Sequence, residues 1–406
     1  MIHSGFKDLT LSKLGFGAMR LPLLEDGKTI DRGAVKEMVD YAMEHGINYF
    51  DTAFPYHAGL SEVVLGEALK SWPRESWYLA DKFPGHQHHL AFTPEEVFTQ
   101  QLEKCGVEYF DFYLLHNVCE NSLGYYMDPS KGYVDYFLEQ RRLGRIKHLG
   151  FSSHADLEAL KDFLDSPYGA EMEFCQIQLN YLDWTLQKAK EKCDIIRSHG
   201  LPIWVMEPLR GGRLAALGDA ADASLKALRP DESVPAWAFR WLQSVPGVTV
   251  ILSGMSSLEQ MEDNVGSFEA ERPLSAVEEA ALMDAVAPLR SRVPCTACRY
   301  CCDGCPMELD IPMLISAYND LSLGFNFTPM MRIEALPEEK RPSACLACGA
   351  CAEICPQGIP IPDILAGLSE KYESMPKWAE ICRQRAEEAA RLSKKRFSHG
   401  HPFGFD

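Results

Sequence analysis

The chain has 406 residues, of which 46% are hydrophobic and 24% charged, the composition of a globular protein with ample material for a core. Its formal net charge of −18 disfavours nucleic acid and anionic membrane surfaces as partners, because their phosphates would be repelled. The N-terminal residues show no secretory signal, and no apolar run approaches the roughly 18 residues of a membrane span. We therefore expect a cytoplasmic protein that binds neither nucleic acid nor membrane.

The first 290 residues alternate short apolar, β-rich runs with segments of helical amphipathic spacing such as AVKEMVDYAMEHG. The runs cover residues 14–19, 47–53, 77–83, 110–117, 146–153, 175–181, 202–209 and 248–254. This alternation indicates a parallel α/β fold. Eight repeats favour a TIM (β/α)8 barrel over an open doubly wound sheet, and the G-x-G of GFGAM is too short a signal for a Rossmann fingerprint.

Polar residues lie at the ends of three consecutive runs, where the active site of a TIM barrel is found. Asp51, Lys82 and His116 end the second, third and fourth runs, and Tyr56 lies in the loop after Asp51. A buried ammonium beside a phenol favours the phenolate, so we expect the pKa of Tyr56 to be lowered. Such a phenol can act as a general acid toward a carbonyl oxygen. A structural ion pair between Lys82 and Asp51 is the alternative.

Residues 1–285 resemble the aldo-keto reductase family. The resemblance rests on the motifs NYFDTA, PYHAGLSE, ADKF and YLLHN, which contain Asp51, Tyr56, Lys82 and His116 in the order and approximate spacing of that family's catalytic tetrad. It implies a small-molecule carbonyl or alcohol substrate. It also implies a cofactor, NADP(H) or NAD(H), bound in extended form across the barrel mouth.

The same resemblance implies a set of nucleotide-binding residues. They are Gly17, Ser152, Ser153, Gln176, Arg213, Ser256, Gln260 and Asn264. The two adjacent serines and Gln176 would meet the nicotinamide carboxamide, and the last three residues would lie along the adenine end. Arg213 belongs to the glycine-rich segment PLRGGR, whose backbone would face the pyrophosphate.

Two positions depart from the family pattern. Relatives that prefer NADPH usually carry basic residues in the loop after strand eight, whereas residues 253–264 contain no Lys or Arg and carry Glu259, Glu262 and Asp263. Met206 stands where many relatives have an aromatic residue that stacks on the nicotinamide. The resemblance favours NADP(H), while the acidic loop offers little to a 2′-phosphate.

Ten of the 14 cysteines lie beyond residue 290, and this shift indicates a second domain. Two runs there share the spacing C-x2-C-x2-C-x3-C-P: Cys295, Cys298, Cys301 and Cys305, then Cys345, Cys348, Cys351 and Cys355. This is the spacing of bacterial-type ferredoxins, in which three close cysteines hold one [4Fe–4S] cluster and the fourth ligates the other. We therefore expect two [4Fe–4S] clusters with crossed ligation.

Other interpretations of these cysteines are weaker. A disulfide framework is untypical of a reducing cytosol, and zinc sites built from C-x2-C pairs do not account for the third and fourth cysteines of each run. Cys302 could replace Cys301 as a ligand or be a free thiol. The isolated cysteines before residue 290 fit small buried hydrophobes.

The expected organisation is a barrel at 1–285, a helical, ferredoxin-like iron–sulfur domain at 286–370, and a C-terminal helix and tail at 371–406. A nicotinamide transfers two electrons as hydride, each cluster transfers one, and no flavin fingerprint is visible. The complete tetrad favours a carbonyl reductase whose clusters are structural or exchange electrons with a ferredoxin-like or other redox partner. The alternative is an electron-transfer protein whose barrel binds a ligand or nucleotide without efficient turnover.

Overall fold

A computed structural model describes residues 1–85, 93–119, 122–212, 214–287, 293, 295, 300–322, 327–353, 355 and 359–377. Two of the predicted site residues, Arg213 and Cys298, lie outside these ranges. The chain divides into two units, residues 1–288 and 289–406. No helix in the described ranges has the length and apolar character needed to cross a membrane.

The first unit begins with an antiparallel hairpin of β1 (His3–Phe6) and β2 (Leu9–Ser12), which the sequence analysis did not anticipate. Phe6 packs edge-on against Trp204 and Phe174, with ring centroids 5.1 and 6.3 Å apart, and lies 5.6 Å from the ring of Phe112. All three belong to the core inside the barrel, in or just before the N-terminal halves of their strands. The hairpin therefore adds its aromatic residue to the end of the barrel opposite the mouth.

Eight parallel strands follow and close into a barrel in chain order, with the last strand paired to the first. They are β3 (Leu14–Gly17), β4 (Tyr49–Asp51), β5 (Tyr78–Phe83), β6 (Phe110–Leu115), β7 (Ile146–Ser153), β8 (Cys175–Gln178), β9 (Ile203–Met206) and β10 (Val248–Ser253). Each predicted run contains one strand. The predicted TIM barrel is confirmed.

Helices separate the barrel strands along the chain. They are α1 (Arg32–Glu44), α2 (Ser61–Leu69), α3 (Pro94–Cys105), α4 (Leu123–Met127), α5 (Tyr133–Arg142), α6 (Leu157–Leu164), α7 (Asp183–Leu186), α8 (Ala189–Ser198), α9 (Asp219–Leu228), α10 (Val234–Gln243), α11 (Leu258–Ser267) and α12 (Ala276–Ala285). Local signals set their ends. For example, α3 begins at a capping box of Thr93 and Glu96 and ends at Gly106, whose φ of 66° suits glycine.

The alternation of side chains along β5 brings Lys82 to the barrel mouth. Ala80 packs inside the barrel with Phe112 and Leu114. Residues two apart in a strand face the same side, so Lys82 projects from the same face one step closer to the strand's C-terminal end. Asp81, between them, faces the helices instead.

The second unit is helical in its described part. Its helices are α13 (Tyr300–Asp303), α14 (Ile311–Leu321), α15 (Phe327–Glu334), α16 (Ala350–Glu353) and α17 (Ile361–Ser374). α14 packs against both α15 and α17, and the core between them includes Leu314, Ile315 and Leu365. The buried face of α17 continues to Tyr372, so this helix runs through the boundary expected at residue 370.

Buried acidic groups lie between β5 and helices α2 and α3. Asp81 and Glu62 are both 0% exposed. The Lys82 N–H donates to Asp81 Oδ1 at 2.8 Å, while Glu62 accepts from Gln101 Nε2 at 3.0 Å and pairs with Lys104 Nζ at 2.8 Å. Burial, followed by repulsion from Glu62, raises the pKa of Asp81 well above its ordinary value. Its protonated form can donate a hydrogen bond to Glu62.

We predict that stability falls less with rising pH in Asp81→Asn than in the wild type. The folded chain holds the Asp81 proton more tightly than the unfolded chain, so the stability that this proton contributes is present at acidic pH and lost as pH rises through the folded pKa. Asparagine does not ionise and keeps an oxygen that can accept from the Lys82 N–H. Thermal unfolding midpoints between about pH 5 and about pH 9 should fall more steeply for the wild type.

The exposed carboxylate of Asp194 on α8 supplies the control, because Asp194→Asn removes an acid from the surface of the same unit. This control should follow the wild-type pH profile. Identical profiles for Asp81→Asn and the wild type would contradict the assignment of a retained proton to Asp81.

Candidate active site and cysteine-lined pocket

Lys82 is fully buried at the end of β5, where its ammonium group joins two neighbouring strands. Nζ donates to Asp51 Oδ1 at 2.6 Å and to the Thr52 carbonyl oxygen at 2.7 Å. The Tyr56 hydroxyl lies 3.5 Å from the same nitrogen. Asp51 ends β4, which pairs with β5, so barrel closure brings the predicted carboxylate, lysine and phenol together.

The electrostatics of the pair formed by Lys82 and Asp51 keep Lys82 in its charged form. Burial alone would lower the pKa of Lys82, but attraction to Asp51 and Tyr56 outweighs it and raises the pKa. Burial raises the pKa of Asp51, and Lys82 opposes that rise. An ammonium with two strong acceptors keeps its proton and holds a fixed position beside the phenol.

The expectation of a lowered pKa for Tyr56 is wrong in direction. Burial raises the pKa of the phenol, Lys82 offsets only part of this rise, and the negative charge of Asp51 adds to it. The sequence reveals the cation but not the extent of desolvation, and here desolvation is the larger effect. The phenol is therefore neutral at physiological pH, which is the form that donates a proton.

The loop after Tyr56 is held in an uncommon backbone conformation. His57 and Ala58 have φ values of 49° and 55°, in the left-handed region that non-glycine residues seldom adopt. The Leu21 N–H donates to His57 Nε2 at 3.2 Å, which anchors the loop to the turn after β3. Backbone strain of this kind persists where surrounding contacts impose it, and the hydrogen bond from Leu21 to His57 is one such contact.

His116 follows β6 and lies beside the phenol, with ring centroids of Tyr56 and His116 6.1 Å apart at 85°. The main-chain N–H of His116 donates to the Phe83 carbonyl oxygen at 3.0 Å. The hydroxyl of buried Tyr126 lies 2.8 Å from the His116 carbonyl oxygen and 3.1 Å from that of Phe83. Tyr126 thus ties the ends of β5 and β6. Nothing in the sequence predicts this role, because Tyr126 looks like any core aromatic residue.

Ser152 and Gln176 are register partners on β7 and β8. Gln176 Nε2 lies 3.8 Å from Met206 Sδ, while Gln176 Oε1 is buried and has no hydrogen-bond partner among the described residues. An unsatisfied buried oxygen of this kind fits the amide NH₂ of a nicotinamide. The Asn117 N–H donates to Ser152 Oγ at 2.9 Å, and the Ser153 hydroxyl donates to a main-chain carbonyl at 2.8 Å.

The remaining predicted nucleotide residues form two small groups near β10. The Ser256 N–H, in the loop after β10, donates to Oε1 of Gln260 in the first turn of α11 at 2.8 Å. Asn264 is buried and donates through Nδ2 to Ser253 Oγ at 3.0 Å, so its amide faces the strand end. A β-carbon on Gly17 would lie 3.2 Å from the Ser253 carbonyl oxygen, and glycine permits this close approach.

The two cysteine runs have matching local structure. Cys301 and Cys351 are each the second residue of a four-residue helix, α13 and α16 respectively. These two short helices contact each other. The described parts of the two runs therefore repeat one local structure, and they lie side by side within the second unit.

A pocket in this unit is lined by cysteines from both runs. Cys305 of the first run lies there with Cys345, Cys348 and Cys351 of the second, and the other lining side chains are apolar. Burial, and then the nearby thiols with Cys345 foremost, raise the pKa of Cys351. The Ala347 N–H donates to Cys345 Sγ at 3.4 Å.

This donor set fits an iron–sulfur cluster, which takes four thiolates and is stabilised by N–H bonds to sulfur. Among the described residues, no group of three or more His, Cys, Asp or Glu side chains is placed to hold a metal ion. The four thiols line one pocket, and they are the kind of donors that a [4Fe–4S] cluster takes.

The other predicted ligands are described only in part. Burial, followed by Cys302 and Cys295, raises the pKa of Cys301 to about 12, which places these three thiols together. Cys355 packs against the same core. The structure therefore places Cys295, Cys301 and Cys302 near one another, and which of them are ligands stays a prediction.

Comparison with known proteins identifies the family to which the chain belongs. Residues 13–287 match the model of the Aldo/keto reductase family, and residues 294–359 match that of a 4Fe-4S dicluster domain. The NADH-specific methylglyoxal reductase of Escherichia coli (strain K12) is 26% identical over 313 residues, covering 66% of this chain and 93% of that protein. L-galactose dehydrogenase of Arabidopsis thaliana is 26% identical over 303 residues, covering 68% and 90%.

Solved structures give the same result for the barrel. The aldo-keto reductase AKR11C1 from Bacillus halodurans matches with a TM-score of 0.54 and 26% identity, over 70% of this chain and 96% of that one. An aldo-keto reductase from Klebsiella pneumoniae in complex with NADPH has a TM-score of 0.57 at 20% identity, over 70% and 95%, and shows the shared fold alone. The chain belongs to the aldo/keto reductase family and joins that oxidoreductase barrel to a C-terminal 4Fe-4S dicluster domain.

Proposed function

We propose that the protein interconverts the carbonyl group of a small molecule and the corresponding alcohol, using NAD(P)H. The observation that carries this proposal is the buried contact of Lys82 with Asp51 and with the Tyr56 hydroxyl at the barrel mouth. Membership of the aldo/keto reductase family supports it, and two of the similar proteins are by name a reductase and a dehydrogenase.

The reduced nicotinamide, when bound, supplies a hydride to the carbonyl carbon. Tyr56 donates its phenolic proton to the carbonyl oxygen, and in the reverse direction its phenolate accepts the alcohol proton. Lys82 favours the phenolate that remains after proton donation, because a nearby cation stabilises the negative oxygen. Asp51 holds Lys82 in place, and His116 borders the phenol.

The cofactor would be held by residues along the mouth. The orphaned Gln176 Oε1 and the hydroxyl of Ser152 support binding of the carboxamide. Ser256 and Gln260 would lie along the adenine end.

For the second unit we propose two [4Fe–4S] clusters with crossed ligation. Cys295, Cys298, Cys301 and Cys355 would hold one, and Cys345, Cys348, Cys351 and Cys305 the other. The pocket shared by Cys305 and the second run supports the second set. The clusters would supply structural stability or one-electron exchange with a ferredoxin-like or other redox partner. Such thiolate ligands persist in a reducing compartment, so we place the protein in the cytoplasm.

A second candidate is an electron-transfer protein whose barrel binds a nucleotide or other ligand without efficient turnover. The cysteine-lined pocket is the observation in its favour. Oxidation of NAD(P)H by the anaerobically purified protein, screened over carbonyl substrates, separates the two candidates. A protein with full clusters and no turnover on any carbonyl would favour the second.

We predict that Tyr56→Phe lowers turnover by about 10²- to 10⁴-fold, because this is the usual contribution of a general acid. Nucleotide binding should persist, since the lost hydroxyl contacts the reacting carbonyl. Tyr168→Phe removes a hydroxyl that donates to Asp135 on the surface of the same unit, and should leave turnover unchanged. Steady-state rates of NAD(P)H oxidation measure both variants. Undiminished turnover in Tyr56→Phe would remove Tyr56 from the mechanism.

We predict weak discrimination between NADPH and NADH, with dissociation constants within roughly tenfold of each other. A pair of charge-assisted bonds to the 2′-phosphate would give a few kcal/mol, and the segment at 253–264, which runs from the end of β10 into α11, has no Lys or Arg to make them. Fluorescence titration with both reduced nucleotides measures the ratio. Glu259→Lys should raise affinity for NADPH alone, while Glu44→Lys, at the far end of α1, should not. A thousandfold preference of the wild type for NADPH would refute this reasoning.

We predict that the anaerobic protein contains about eight iron and eight sulfide per chain, and that Cys305→Ala loses about half of each. The reason is the pocket that Cys305 shares with the second run, so spectroscopic loss should fall on the cluster of that run. Cys302→Ala is the control and should keep both clusters.

Two results would change this assignment. Stoichiometric zinc without labile sulfide would refute the clusters. Full iron in Cys301→Ala together with loss in Cys302→Ala would move the ligand by one residue.

A further inference from the structure

The loop between β4 and α2, residues 52–60, carries Tyr56 and contacts the end of α3. Lys104, in the last turn of α3, has its Nζ atom 4.5 Å from the centroid of the Phe54 ring. The same nitrogen lies 3.3 Å from the point where a β-carbon on Gly59 would be. Gly59 has a φ of 83°, which glycine adopts without strain. One cation on α3 therefore contacts the loop on both sides of Tyr56 in the sequence.

A buried carboxylate holds Lys104 in this place. Lys104 Nζ pairs at 2.8 Å with Oε2 of Glu62, whose side chain is fully buried in the first turn of α2. The other carboxylate oxygen, Oε1, accepts from Gln101 Nε2 at 3.0 Å. A charge-assisted bond to an acceptor that is itself fixed by a second donor restricts the ammonium group strongly. Lys104 therefore differs from a surface lysine that moves freely in water.

The same cluster is bonded to the strand that carries Lys82. Gln101 Nε2 also donates to the Lys82 carbonyl oxygen at 3.1 Å. Helix α3 thus holds the end of β5 through Gln101 and the loop at 52–60 through Lys104. These two segments carry the groups whose separation matters for proton transfer, since Lys82 Nζ lies 3.5 Å from the Tyr56 hydroxyl.

We propose that Lys104 is a positioning residue that sets the distance between the Tyr56 hydroxyl and the Lys82 ammonium. This inference rests on the proposed function. The contact of Lys104 with Phe54 is a cation–π interaction, which keeps the ring and the loop against α3. Without this contact the phenol moves away from Lys82. A displacement of about 1 Å at a reacting group can cost roughly 10²-fold in rate.

Displacement of the phenol also changes the pH dependence of alcohol oxidation, because in that direction the phenolate of Tyr56 accepts a proton. Lys82 favours the phenolate, whereas the carboxyl groups of Asp51 and Asp81 oppose it. His116 borders the ring. A phenol that moves away from Lys82 loses the favourable contribution, so its pKa rises. The kcat for alcohol oxidation then increases at a more alkaline pH than in the wild type.

The test uses the full chain, purified anaerobically, with NAD(P)H and the aldehyde that gives the highest wild-type rate in the carbonyl screen. Oxidation of the corresponding alcohol supplies the pH profile. Thermal unfolding midpoints report the stability of each variant separately from its rate.

Lys104→Met removes the cation and keeps an apolar stem against the loop. We expect its kcat to fall by roughly 10- to 100-fold, its KM for the aldehyde to change less than kcat, and its pH profile to shift to higher pH. Lys104→Arg keeps a cation for Glu62 and for the Phe54 ring, and it should recover most of the rate.

A second variant separates positioning from stability. Lys104→Met leaves the buried Glu62 carboxylate without its cation, and an unpaired buried charge destabilises a fold. Combining Lys104→Met with Glu62→Gln removes both charges and keeps an oxygen that can accept from Gln101. Stability should then recover, while kcat should stay low because the loop still lacks the cation.

Lys147→Met is the matched control. Lys147 is the second residue of β7, far from the mouth, and its Nζ lies 4.6 Å from the centroid of the Tyr109 ring. This variant therefore removes one lysine and one cation–π contact of the same kind from the same unit. It should leave kcat, KM and the pH profile unchanged.

Three results would overturn the inference while leaving the proposed function intact. They are a wild-type kcat in folded Lys104→Met, a low kcat with the wild-type pH profile, and a double variant that recovers its rate together with its stability. The second would show that Lys104 acts on something other than the distance of the phenol from Lys82, and the third that its role is structural alone. A wild-type protein that turns over no carbonyl would instead overturn the proposed function itself.

Discussion

The ion pair between Lys82 and Asp51 is the interaction on which the arrangement of the barrel mouth depends. Removing two charges from water is costly unless each finds a close partner and further hydrogen bonds. Here the partner comes from the adjacent strand, and the Thr52 carbonyl oxygen supplies the second acceptor. Neither strand alone could bury its charge, so closure of the barrel and formation of the pair support each other. The phenol of Tyr56 then lies against a cation whose position is already fixed.

The barrel and the meeting of Asp51, Tyr56, Lys82 and His116 at its mouth could be predicted because they depend on patterns that the sequence displays. Apolar runs at regular intervals predict the strands, and polar residues at the run ends mark the mouth. The direction of the Tyr56 pKa shift was missed because it depends on how completely the phenol is desolvated, and burial arises only when the loops meet. The role of Tyr126 was missed for a related reason, since it comes from contacts with the ends of two strands, one of them distant in sequence.

The cysteine runs are a case in which spacing carries more information than any single residue. Two copies of one spacing predict two similar local structures, and the paired short helices α13 and α16 show that similarity. The spacing also predicts that the fourth cysteine of one run serves the other, and Cys305 lies in the pocket of the second run. The choice between Cys301 and Cys302 depends on side-chain direction within one helical turn, a detail that spacing does not encode.

The N-terminal hairpin affects the order in which the parts of the barrel can fold. The Ile2 N–H donates to the carbonyl oxygen of Phe268 at 2.7 Å, so the first residues of the chain bond to the segment that follows α11. Contacts of such large sequence separation carry a high loop-closure entropy and slow the folding of the structures that need them. During synthesis the hairpin leaves the ribosome before the barrel strands do, and its partners Phe174 and Trp204 arrive much later. The barrel therefore cannot complete its core until nearly the whole first unit has been translated.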